Sequence, residues 1–129
     1  MNRIEFFKTH ARNLFSVLES EYQYTFEEEK MYRYADLDWS VKLLYSSEVA
    51  NLRIEIEQAP YYTDYGFTFG IQNLITKEDV IIFNIAHERQ DTENKFLGNA
   101  CELIFSNKEA VDLISGKEWQ SYNKILIQK

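Results

Sequence analysis

The sequence predicts an α+β domain: a meander of about six or seven antiparallel strands, packed with an N-terminal amphipathic helix and a short C-terminal helix. Three observations predict it. Apolar residues recur first at helical spacing, then through the middle of the chain at a spacing of two, and helix-capping signals return near the C-terminus. The 129 residues are 45% hydrophobic with only 4 Gly and 1 Pro, a size and composition that suit one folded domain over 1–129.

Ile4, Phe7, Ala11, Leu14, Phe15 and Leu18 fall on one stripe of a helix, placed at residues 3–20. Asn2 and Glu5 have the spacing of a capping box at its start. Tyr22, Tyr24 and Phe26, then Tyr32 and Tyr34, alternate with polar residues on either side of Glu27-Glu28-Glu29-Lys30, which reads as a hairpin with its turn at that charged run. Trp39 to Tyr45 and Leu52 to Ile56 alternate as two further strands, each with one buried face. Pro60 ends the second of them, leaving Gln58 to Tyr65 as a loop.

Phe67, Phe69 and Ile71 form the next strand, and a turn at Thr76 to Asp79 leads to Val80 to Ala86, apolar on both faces and therefore central. The stretch from His87 to Asn94 is polar and without period. Residues 95–105 fit either period; Gly98 weakens the helix by about 1 kcal/mol, so a strand is placed at 100–105. Ser106 and Glu109 form a second capping-box signal for a helix at 107–115 that ends at Gly116 in a left-handed conformation. Trp119, Tyr122 and Ile125 to Ile127 pack back on the core, the last three as an edge strand.

Fourteen Lys and Arg stand against 21 Asp and Glu, so the net charge of −7 repels phosphate backbones and anionic lipid, and neither nucleic acid nor membrane is expected as a partner. The excess is local. Residues 19–64 hold eleven acids against four bases, and the rest of the chain is neutral. A single cysteine, Cys101, excludes an internal disulfide, and the charged start Met1 to Lys8 lacks the apolar core of a secretory signal; a cytoplasmic protein is expected.

No phosphate-binding loop, nucleophile elbow or zinc motif is present, so no catalytic residue, metal site or cofactor is assigned. His10 reads as a surface side chain, and Cys101, between Ala100 and Glu102, as a small hydrophobe. The informative residues are the acids Glu27, Glu28, Glu29, Asp36 and Asp38 and the loop tyrosines Tyr61, Tyr62 and Tyr65. Tyrosine offers stiff contact area with a polar tip, and acids steer a basic partner.

Small size, acidity, abundant tyrosine and the lack of catalytic groups are similar to what bacterial immunity proteins of toxin systems show. Such proteins block a toxin, often a basic nuclease, by covering its surface. This likeness of class, carried by no motif, implies a non-enzymatic inhibitor of a basic protein, with the acids and tyrosines above as its binding surface. Two other readings stay open. One is a small-ligand domain or small enzyme with a cavity between sheet and helix near His87, Glu88 and Arg89. The other is a homodimer formed through an edge strand.

Overall fold

The computed structural model describes residues 3–34, 37–58, 66–85, 96–117, 119 and 124–127. Helices α1 (Arg3–Leu14) and α2 (Val17–Glu21) precede strands β1 (Thr25–Tyr34), β2 (Leu37–Ser47), β3 (Leu52–Gln58), β4 (Phe67–Asn73) and β5 (Asp79–Ile85). Helices α3 (Phe96–Ser106) and α4 (Lys108–Ile114) then lead to β6 (Lys124–Ile127). The sheet runs β1-β2-β3-β4-β5-β6.

The α+β class holds, with an N-terminal helical segment and C-terminal helices. The antiparallel meander has five strands, however, where six or seven were expected. β6 joins β5 in parallel, after the helical crossover that a parallel pair requires.

Two local differences account for the count. The charged run at 27–30 is no turn: β1 continues through it, with a register shift between Phe26 and Glu28 that leaves Glu27 as a bulge. An edge strand tolerates such charges because one of its sides lacks a neighbour, and there they discourage pairing with another chain. The second difference is at 96–106, which is helix α3. Phe96, Leu97, Ala100 and Ile104 are all buried at helical spacing, which outweighs the helix cost of Gly98. A Cβ at Gly98 would meet nothing within 4 Å, so that glycine is no packing requirement.

The N-terminal stripe is as expected, with Phe7, Ala11, Phe15 and Leu18 fully buried. The helix breaks at Phe15-Ser16, where the Ser16 hydroxyl donates to the Asn13 carbonyl at 2.8 Å and diverts it from the helical ladder. The cap of α4 is Asn107, one residue later than Ser106: its side chain accepts from the Ala110 amide at 3.0 Å. At the other end Gly116 takes φ +75°, and the amides of Gly116 and Lys117 donate to the Leu113 and Asp112 carbonyls.

One sheet face carries the core. Leu43, Ile56, Phe69 and Phe83 stand in one row across β2 to β5, and Tyr45, Ile54, Ile71 and Val80 in the next. Helix side chains meet them: Phe15 lies 5.5 Å from Phe69, Phe96 lies 5.5 Å from Phe67, and Phe7 packs edge-on to Phe67. Tyr24, at the start of β1, donates to the Ile114 carbonyl at 2.6 Å and ties the sheet to the end of α4. The helices thus cover this inner face.

Candidate functional site

The outer face is built from the alternate positions of the same strands. One row reads Leu44, Glu55, Gly70, Ile81; its neighbours read Lys42, Glu57, Thr68, Asn84 and Ser46, Arg53, Gln72, Asp79. Glu28 and Lys30 extend it on β1. Leu44 is only 2% exposed, although its partners across the ladder are Glu28 and Glu55; long side-chain stems provide such cover while their charged ends stay in water.

Ion pairs organise this face. Lys30 lies 3.9 Å from Glu28, Lys42 lies 3.8 Å from Glu55, and Arg53 Nε lies 3.5 Å from Glu27 Oε1. Exposed pairs of this kind contribute about 0–1 kcal/mol each. Glu57 and Asp79 make no ion pair among the described residues. The face therefore keeps an excess of negative charge, concentrated toward β3 and β5.

At its centre is a hollow of about 260 Å³. Gly70 lies at its floor, with Glu55 and Ile81 beside it and Glu57, Gln72 and Asp79 around the rim. Among the described residues no group of three or more His, Cys, Asp or Glu could hold a metal ion. No helix there is long and apolar enough to cross a membrane.

The three consecutive glutamates do not share a surface. Glu27 occupies the bulge and reaches Arg53, Glu28 is on the outer face, and Glu29 stands opposite Leu43 on the inner side, 3.6 Å from Lys8 of α1. Lys8 also reaches Glu5 at 3.1 Å, and the hydrogen bond to Glu5 is the main cause that raises its pKa. Asp38 is in register with Arg33 on β1. Asp36, Tyr61, Tyr62, Tyr65, His87, Glu88 and Arg89 lie outside the described residues. The strand ends from which their segments depart, at Tyr34, Leu37, Gln58, Phe67 and Ile85, are at one end of the sheet.

Several titratable groups are structural. Burial raises the Tyr24 phenol and pushes Tyr45 up to about 12, the nearby Arg12 guanidinium opposing the shift and Glu19 adding to it. Arg12 itself stacks 3.6 Å from the centre of the Phe26 ring. Burial also raises the Cys101 thiol, whose Sγ donates to the Leu14 carbonyl at 3.5 Å; this keeps the thiol protonated and a poor nucleophile.

Sequence reasoning missed all the residues around the hollow, Lys42, Glu55, Glu57, Thr68, Gly70, Gln72, Asp79 and Ile81 among them. Their one sequence signal is a glycine inside an alternating strand. Compared with protein-family models, with curated proteins and with solved structures, the chain finds no match.

Proposed function

We propose that this chain is a non-enzymatic protein-binding protein that receives a basic protein partner on the outer face of its sheet. The narrower form of the proposal is an inhibitor of the immunity or antitoxin type that neutralises a basic toxin. One observation carries it. The described helices lie on the inner face, while the outer face carries no described helix, is acidic in balance among the described residues and is backed by a packed core. A rigid, precovered scaffold with one free charged face loses little entropy on binding and steers its partner by charge.

The proposed surface includes the tyrosines Tyr61, Tyr62 and Tyr65 and the acid Asp36, which lie outside the described residues. An edge-strand homodimer is less favoured, because β1 carries the bulge at Glu27 and the charges of Glu28, Glu29 and Lys30 along its length.

The test is association kinetics with a basic protein captured on the immobilised chain. The double substitution Glu28→Lys with Glu55→Lys slows association by about tenfold at low salt, and the loss shrinks at high salt. Association that is fast and salt-independent in both forms contradicts the proposal.

A further inference from the structure

The antiparallel meander ends at β1 on one side and at β5 on the other, and the two margins are built differently. β1 protects its own edge with the bulge at Glu27 and the charges of Glu28, Glu29 and Lys30. β5 after Asp79 reads Val80-Ile81-Ile82-Phe83-Asn84-Ile85, with no charged residue, and its register shift at Ile82 is toward β4. A neutral strand rich in β-branched residues is a template on which another sheet edge pairs. In a chain of net charge −7 it is also the margin at which two copies approach with least repulsion.

What covers β5 is β6, and the cover is lightly held. β6 has four residues, where β3, β4 and β5 each have seven. It pairs in parallel, the slightly less stable arrangement per residue. The step from Ile81 to Phe83 on β5 is matched by the longer step from Lys124 to Ile127 on β6, so even this short ladder is interrupted. A second attachment precedes the strand. Trp119, partly buried against the core, donates from its indole Nε1 to Glu78 Oε1 at 3.1 Å. Glu78 stands immediately before β5 and Trp119 shortly before β6, so this bond ties together the ends at which the parallel pair begins.

We propose that β6 is a latched cover strand: it opens as a unit while β1 to β5 stay folded, and its closure keeps the edge of β5 from pairing with the same edge of a second copy. The hydrogen bond from Trp119 to Glu78 is the latch. This device is independent of what the outer face binds.

The test is native-state hydrogen exchange with light scattering, on the full chain. Corrected for intrinsic rates, the amides of β6 and those of β5 that point toward it exchange together, about tenfold or more faster than the amides of β3. Trp119→Phe keeps an aromatic ring but loses the donor, and it speeds that exchange about threefold or more with β3 unchanged. Ile125→Pro with Leu126→Pro removes two adjacent backbone donors and detaches the strand. The double-proline variant keeps β3 protected and passes from monomer to dimer as its concentration rises. Exchange of β6 and β3 at one common rate, or unaltered exchange in Trp119→Phe, overturns the proposal. So does loss of β3 protection in the double-proline variant, which makes β6 part of the folding core, or a double-proline variant that stays monomeric with the β5 amides newly exchanging.

Discussion

On the inner side of the sheet Leu43, Ile56, Phe69 and Phe83 line up across four strands and meet Phe15 and Phe105 from the helices. One residue along each strand, the outer side carries Leu44, Glu55, Gly70 and Ile81 and meets no described helix. The same backbone ladder serves both faces, so the proposed division between stability and recognition rests on side-chain alternation. Substitutions on the two faces should therefore differ in kind: inner ones in folding, outer ones in binding.

The largest expected effect is on the inner face. Phe69 is fully buried against Phe15 and Phe105, so Phe69→Ala loses about 3–5 kcal/mol in urea unfolding, from lost transfer energy and the cavity left behind. A loss below about 1 kcal/mol would break the division of roles.

Alkali probes the inner face next. The folded-state pKa values of Tyr24 and Tyr45 are raised above the unfolded value near 10, so their contribution is complete below that pH and is lost as pH rises toward 12. Unfolding free energy should fall by about 1.4 kcal/mol per pH unit for each phenol in that window. The Tyr45 hydroxyl has no hydrogen-bond partner among the described residues, so Tyr45→Phe removes its share of the slope at little cost near neutral pH.

Two glycines sharpen the contrast. At Gly116, φ is +75° and an added Cβ would fall 2.7 Å from the Ala50 Cβ, so Gly116→Ala costs about 1–3 kcal/mol in the same unfolding assay. Gly70→Ala, with ordinary φ and an open outer hollow, is neutral or stabilises by up to about 1 kcal/mol. The smallest effect belongs to an outer ion pair: Lys42→Met shifts the unfolding free energy by less than about 1 kcal/mol, since its pairing with Glu55 is long and solvent-screened.

What was legible in the sequence follows the same division. The stripe of Phe7, Ala11, Phe15 and Leu18, the alternation of Leu52, Ile54 and Ile56, and the glycine stop at 116 are local patterns, and their elements formed there, except that the helix placed at 3–20 is broken in two at Phe15-Ser16. β1 was not legible, because Glu27 to Lys30 interrupts the apolar alternation and only the neighbouring β2 holds the strand through it. α3 was not legible either, because Ala100 to Phe105 satisfies both periods until the helical packing of Ile104 and Phe96 decides. At the site, the acids were visible as charge, but their faces depend on the bulge at Glu27, which sends Glu28 outward and Glu29 toward Lys8. The Gly70 hollow needs residues from four strands, β2 to β5, and has no local signature.

The central claim is that the outer face is the recognition face. Carbodiimide labelling of carboxylates with mass-spectrometric readout tests it directly, on the free chain and on its complex with the captured basic partner. The claim predicts that Glu28, Glu55, Glu57 and Asp79 lose reactivity in the complex, while Glu102 of α3 and Glu109 of α4, exposed on the helical layer, keep theirs. Protection of Glu102 and Glu109 with the outer-face carboxylates unchanged would contradict it.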